Sequence, residues 1–276
     1  MIQLYTKIGS QIFKRPDPFF QFPGGEWHMK DDGNTFVGDE AAMVIGTDPN
    51  DYVKLMLWQN ACKEYPRIVI PYLPAARADK GSPRGADVYS NLIPEYKRLV
   101  TLDAHSNYMI DHLRAVRGSD VVNVMPAEIL KQDIKDLGNY SGIIAPDEGS
   151  VVRASEVAAK WSLPVYYGEK KRDFETGELL EFSPPKLPAK SDRKRFLVVD
   201  DICDGGGTFI GLAQAIRENF PWIRLDLYVT HGIFSKGSSV IKDHYHRLIT
   251  TDSLDHQGEH ARYIYIRNHL LRRAYQ

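Results

Sequence analysis

The stretch Arg195 to Asn219, RFLVVDDICDGGGTFIGLAQAIREN, constrains the fold of this chain more than any other. Phe196 to Val199 is a continuous apolar run of the kind buried on both faces in a parallel strand, and Leu212, Ala213 and Ile216 recur at helical spacing. Asp200, Asp201 and Asp204 and the glycine run 205–207 lie between them. A strand, a glycine turn and a helix in this order put the turn at the carboxyl end of a parallel sheet, where open α/β sheets bind ligands. Gly205, Gly206 and Gly207 let a phosphate approach the N–H groups of the helix start, where the helix dipole favours an anion. Asp200 and Asp201 would then face the hydroxyls of a ribose. The bland reading of the same residues is a glycine turn beside two helix-capping aspartates. Neither Gly-Lys-Ser/Thr nor G-x-G-x-x-G with its later acidic residue occurs here, which disfavours the P-loop and dinucleotide-binding folds.

Short β-like runs alternate with helical stretches along the rest of the chain: Ala41 to Ile45, Arg67 to Tyr72, Arg98 to Leu102, Gly142 to Ala145, Pro164 to Tyr167, Phe196 to Val199 and Leu225 to Val229. That alternation predicts an α/β architecture. Val151, Ala154, Ala158 and Trp161 share one helical face just after the Pro146-Asp147-Glu148-Gly149 turn, so the strand-turn-helix order occurs twice. The expectation is two similar halves divided near Val124 to Pro126, as domains 1–125 and 126–276. Ser183 to Lys190 is a proline-rich connector, and Asp173 to Glu178 carries a Thr-Gly turn. A mobile hairpin or flap fits this region, with Lys170, Lys171 and Arg172 at its base. Such a basic triplet is ordinarily a solvated surface.

The 276 residues suffice for one large domain or two of ordinary size, and a formal net charge of -1 predicts neither a nucleic-acid footprint nor an electrostatic membrane anchor. The two cysteines, Cys62 and Cys203, suit a reduced compartment, and Cys203 lacks the partner-histidine motif of a nucleophile. No apolar run approaches the ~20 residues of a membrane span, and the first residues lack a charged-then-apolar signal. A soluble, cytoplasmic protein with no nucleic-acid and no membrane partner is expected.

VVDDICDGGGT resembles the signature of the type I phosphoribosyltransferase superfamily, in which paired acids take the ribose hydroxyls and the following loop the 5-phosphate. Further matches, in order, resemble one branch, the ribose-phosphate pyrophosphokinases. They are Phe22-Pro23-Gly24-Gly25-Glu26, Ala76-Arg77-Ala78-Asp79-Lys80, Asp103-Ala104-His105-Ser106, Ala145-Pro146-Asp147-Glu148-Gly149 with Arg153-Ala154, Lys170-Lys171-Arg172, and Thr230-His231-Gly232-Ile233-Phe234-Ser235. The resemblance implies two phosphoribosyltransferase-like domains, each a mainly parallel sheet flanked by helices. The first would be the ATP side and the second the ribose-phosphate side. It implies Mg²⁺-dependent transfer of diphosphate from ATP to the C1 hydroxyl of ribose 5-phosphate.

By that resemblance Lys170 and Arg172 contact the transferring group, and Phe22, Glu26, Arg77 and Asp79 serve ATP. Asp200, Asp201, Asp204, Gly205, Gly206, Gly207 and Thr208 hold the ribose phosphate, and His105 with Asp147 forms the metal site. A histidine is an unusual magnesium ligand, and His105 read alone is an ordinary hydrogen-bonded residue. Asp147 read alone equally caps the helix beginning near Glu148. His231 reads as a buried structural histidine, and an isolated Phe22 would more often be core. In this family the Phe-x-x-Gly-Glu segment usually completes a neighbouring subunit's site, which implies at least a homodimer.

Three departures bear on substrate choice. Gly24 stands where the family has aspartate and Ala78 where it has glutamine, so two polar groups near the nucleotide are missing. Gly205 replaces a threonine of the phosphate loop, which is expected to gain room and lose a donor. That room permits a ribose with a larger 5-substituent, such as ADP-ribose, as the acceptor. A phosphoribosyltransferase, or a non-catalytic regulatory subunit, are the competing readings. The chain is expected to be shorter than typical family members near its C-terminus.

Overall fold

A computed structural model describes residues 1–30, 36, 38–117, 120–134, 139–172, 179–188, 194–255 and 258–276, with the side chains of 132, 169–172 and 179–182 outside the description. The chain divides into two compact units. Residues 1–124, 253–255 and 266–276 form the first, and residues 125–252 and 256–265 the second.

The first unit begins with β1 (Ile2–Ile8), β2 (Gln11–Lys14), β3 (Phe19–Gln21), β4 (Trp27–Met29) and β5 (Asp39–Val44). It continues with α1 (Pro49–Ala61), β6 (Arg67–Ile70), α2 (Gly85–Leu92), β7 (Arg98–Leu102), α3 (Asn107–Val116) and β8 (Val121–Val124). Its six-stranded sheet runs β2-β1-β5-β6-β7-β8, parallel from β5 to β8 and antiparallel at the β1 and β2 edge. The pattern of β1 explains that edge: Ile2, Leu4 and Thr6 are buried while the residues between them are not, the period of a strand with one covered face. Helix α1 starts where Asp48 accepts the Asn50 N–H at 2.9 Å and Pro49 occupies the first turn. It packs Leu55 and Trp58 into a core with Ile68, Ile70 and Leu99.

The second unit contains α4 (Pro126–Asp133), β9 (Gly142–Ala145), a 3-10 turn (Glu148–Ser150), α5 (Val151–Lys160), β10 (Val165–Tyr167), β11 (Glu169–Arg172) and β12 (Leu179–Ser183). Then come β13 (Arg195–Cys203), α6 (Gly207–Asn219), β14 (Arg224–Gly232), α7 (Ser239–Lys242), β15 (Arg247–Thr251) and β16 (Arg262–Ile264). Its sheet, β10-β9-β13-β14-β15-β16, is parallel throughout. Strands buried on both faces read as unbroken apolar runs, and Phe196 to Val199 are fully buried. At the opposite end of β14 from the glycine turn, buried Asp226 accepts from Tyr140 Oη at 2.5 Å, Arg195 Nε at 2.8 Å and the Arg247 N–H at 3.1 Å. These bonds tie three neighbouring strands to the segment ahead of β9.

Two expectations change. The strand predicted over Phe196 to Val199 runs on to Cys203, because its ladder with β14 continues to the Cys203 and Gly232 pair. Asp200 and Asp201 therefore sit in the strand rather than the turn. The expected domain 126–276 also loses its last segment. Helix α8 (Arg267–Ala274) packs on β5, β6 and β7 of the first unit, burying Leu270, Leu271 and Ala274. Arg67 Nε donates to the Ala274 carbonyl at 2.7 Å and Tyr275 Oη to that of Asp39 at 3.1 Å, so the helix end is satisfied by the first sheet.

Candidate functional site

In the second unit the predicted acceptor residues follow one another from β13 into α6. Asp200 and Asp201 are 8% and 4% exposed. The guanidinium of Arg153, on α5 and itself 6% exposed, bridges them: Nη1 lies 3.2 Å from Asp200 Oδ1 and Nη2 3.3 Å from Asp201 Oδ2. Arg153 was legible only as a motif match, because a contact across 47 residues has no local sequence signal. Burial, and then the charge of Asp201, hold the Asp200 carboxyl well above the usual carboxylate range; Arg153 pulls it down and Asp147 adds to the rise. Both acids are clamped by the one guanidinium.

Asp147 caps the 3-10 turn. Its Oδ1 accepts the Ser150 N–H at 3.2 Å while its own N–H donates to Ser150 Oγ at 3.2 Å. Capping and proximity to the acidic pair belong to the same residue, so the two readings of Asp147 do not exclude each other.

Beyond the acids, Asp204 and Gly205 are half-buried and lead into Gly206, which takes a φ of +82°. A Cβ at Gly206 would lie 2.7 Å from Ile241 Cγ1, so both backbone and space demand glycine here. The Gly206 carbonyl accepts the N–H groups of Phe209 and Ile210 at 3.0 and 2.9 Å, which starts α6. Gly207 is exposed with nothing within 4 Å of a notional Cβ, and Thr208 follows it, half-buried. A left-handed glycine followed by an exposed one thus opens the start of α6, where the sequence reading expects a phosphate. The extra room expected at Gly205 is not empty, however: the Lys236 methylenes lie 3.5 Å from where its Cβ would be.

Cys203 closes the strand, fully buried. Burial, helped by the charges of Asp200 and Asp204, pushes its thiol up to about 12, so it stays protonated and inert as a nucleophile. His231 is buried on β14, as expected.

In the first unit two of the nucleotide candidates and the metal candidate His105 follow adjacent parallel strands. Exposed Arg77 and half-buried Asp79 follow β6, and exposed His105 follows β7. Phe22 is 48% exposed on the β3–β4 turn, stacked with His28 at 5.9 Å, so it is not core. Glu26 is exposed on the same turn. Its Oε2 lies 2.5 Å from where a Gly24 Cβ would be, so a carboxylate stands beside the position that lost one.

His105 and Asp147 fall in different units, and no cluster of three His, Cys, Asp or Glu side chains with metal-binding geometry occurs among the described residues. The backbones of Lys170 and Arg172 lie on β11, paired antiparallel with β12; their side chains, and 173–178 of the expected flap, lie outside the described residues. No helix among the described residues is long and apolar enough to cross a membrane.

A parallel sheet whose central strand carries paired acids and runs through a glycine turn into a helix is the arrangement of the phosphoribosyltransferase class. Residues 126–263 match the family model described as phosphoribosyl transferase domain. A ribose-phosphate pyrophosphokinase of Thermococcus kodakarensis is 30% identical over 230 residues, covering 79% of this chain and 78% of the relative. One from Pyrococcus abyssi is 29% identical over 230 residues, covering 79% and 76%. The crystal structure of a phosphoribosylpyrophosphate synthetase from Mycobacterium smegmatis has the same fold, with a TM-score of 0.72 and 19% identity over 93% of this chain and 88% of that one. The chain belongs to the ribose-phosphate pyrophosphokinase family, whose members are transferases.

Proposed function

We propose that this chain transfers the β,γ-diphosphate of ATP to the C1 hydroxyl of ribose 5-phosphate, giving phosphoribosyl pyrophosphate and AMP. One arrangement carries the reading: the clamped Asp200 and Asp201 pair runs directly into the left-handed Gly206 and the open start of α6. The acids accept hydrogen bonds from the ribose 2- and 3-hydroxyls, and the amides of Gly205 to Thr208 take the 5-phosphate. In the first unit Arg77 holds ATP phosphates with Asp79 beside it, and Phe22 and Glu26 serve the adenine end.

The reaction forms a bond from the C1 oxygen to the β-phosphorus, breaks the bridge between the α- and β-phosphates, and releases the hydroxyl proton. Positioning and charge neutralisation do most of such work, and Lys170 and Arg172 supply cations for the transferring group. A carboxylate such as Asp147 suits Mg²⁺, which takes one or two carboxylates plus substrate phosphates and keeps several waters, whereas the imidazole of His105 suits it less. When bound, the ion neutralises phosphate charge. The reading includes a homo-oligomer of at least two chains in the cytoplasm, tested by sedimentation and by fractionation.

The test is incubation with MgATP and ribose 5-phosphate, followed by phosphorus NMR. AMP with an anomeric diphosphate is expected; ADP, or no acceptor-dependent ATP consumption by folded protein, would refute the assignment. Lys170→Ala should lower turnover by ~100-fold or more, as loss of a transition-state cation does. A second reading keeps the chemistry and takes a larger 5-substituted ribose. It is favoured by a cavity of about 480 Å³ lined by Phe234, Ser235 and Ser238 of the loop that also carries Lys236, and by Glu259 and His260 ahead of β16. ADP-ribose as a parallel acceptor decides between the two.

A further inference from the structure

Lys236 has no place among the motif matches, yet the fold fixes it beside the cradle. The N–H groups of Ile233 and Phe234 both donate to the Cys203 carbonyl, at 2.9 and 3.1 Å, which fastens this loop to the last residue of β13. The Gly237 N–H donates to the Phe234 carbonyl at 2.8 Å, closing a turn with Ser235 and Lys236 at its corner. Gly237 takes a φ of +82° and the buried Phe234 one of +49°, so the turn is pinned at both ends. From the corner the lysine chain lies along Gly205, with Cδ and Cε 3.5 Å and Cγ 3.8 Å from a notional Cβ there. Lys236 is exposed, and among the described residues it has no ion-pair partner.

Charge gives this placement its meaning. Asp147, Asp200, Asp201 and Asp204 concentrate negative charge at the end of β13, and Arg153 is already engaged by two of them. Backbone amides and a helix dipole offer only partial positive charge to a phosphate dianion. We propose that Lys236 is a binding residue of the acceptor site, its ammonium neutralising the acceptor's 5-phosphate across Gly205. This rests on the second unit being the acceptor side. A lysine here acts as a flexible point charge, so it takes a terminal phosphate or the first phosphate of a diphosphate equally well.

The test is calorimetric titration of the full chain with ribose 5-phosphate and, separately, with ATP. Lys236→Ala should weaken ribose 5-phosphate binding roughly tenfold, the effect of one charge-assisted contact at an exposed site. ATP binding and thermal stability should stay unchanged, and Lys236→Arg should restore most of the loss. In turnover, the acceptor KM should rise with little change in kcat, the mark of binding shared by ground and transition states. The deficit should also shrink at high salt. Equal binding of ribose 5-phosphate by Lys236→Ala and the unaltered protein would overturn the assignment. Failure of the unaltered protein to bind ribose 5-phosphate would overturn the acceptor reading itself and this inference with it, and the two failures appear in different arms.

Discussion

Replacing Arg153 with methionine removes the guanidinium and keeps the length of the side chain, which makes it the sharpest test of how the acceptor acids are held. At the observed separations of 3.2 and 3.3 Å, each pair with its carboxylate ionised is worth about 5 kcal/mol of Coulomb attraction at an effective dielectric of 20. Desolvation of three buried charges and repulsion between the two carboxylates offset much of this. Breaking a buried pair by removing one partner costs about 3–5 kcal/mol net, because uncompensated charge is left behind. Urea unfolding of the metal-free protein, followed by circular dichroism and by amide exchange along β13, should show that loss at pH 7. The pH dependence carries the stronger test. The folded state holds Asp200 well above the usual carboxylate range, so between the unfolded and folded values it keeps a proton that the unfolded chain has released. Stability contributed by that group therefore falls as pH rises from the ordinary carboxylate value through the raised one. Without Arg153 the folded value rises further, the window widens, and acidification toward pH 5 should recover part of the loss. A variant that loses under 1 kcal/mol at pH 7, or one whose deficit grows on acidification, would refute the clamp.

Gly206→Ala should destabilise by ~2–4 kcal/mol, the sum of a left-handed backbone penalty and overpacking against Ile241, read as a lowered unfolding midpoint. Asp226→Ala should cost ~3–5 kcal/mol in the same assay, because buried Tyr140 and the Arg195 guanidinium lose their shared acceptor; Asp226→Asn should cost less. In native protein at pH 8 a thiol reagent should titrate Cys62 alone, since the Cys203 thiol is buried and pushed up to about 12, and both should react after unfolding.

The doubly buried strands were legible because burial on both faces leaves an unbroken apolar run, as in Phe196 to Val199 and Gly142 to Ala145. Strand β1 was readable in principle from its alternation of Ile2, Leu4 and Thr6, but three charged or polar neighbours mask so short a period. Strands β15 and β16 are short, and the return of α8 to the first sheet has no local signal, so the partner surfaces decide them. The same holds within the site. Gly206 was legible from type and spacing, since few residues tolerate a φ of +82° before a helix. Arg153 bridging Asp200 and Asp201, and Lys236 crossing Gly205, exist only once β13, β14 and α5 are packed together.

Two of the sequence departures share a physical pattern that motif comparison by itself inverts. Gly24 and Gly205 both replace side chains of the family motif, and each reads as a vacancy. In the structure the Glu26 carboxylate lies 2.5 Å from the missing Cβ of Gly24, and Lys236 methylenes pack 3.5 Å from that of Gly205. The first distance is too short for any Cβ, so an aspartate at position 24 would have to displace Glu26 and face its charge. The second is ordinary contact, so a larger residue at position 205 would fit only by narrowing the lysine's path. A glycine in a binding loop can therefore mark where another residue's side chain enters. At Gly24 that neighbour keeps the sign of the lost group, and at Gly205 it turns a neutral hydroxyl into a full positive charge. The gap at position 24 thus has a like-charged neighbour, whereas the gap at position 205 is crossed by a cation.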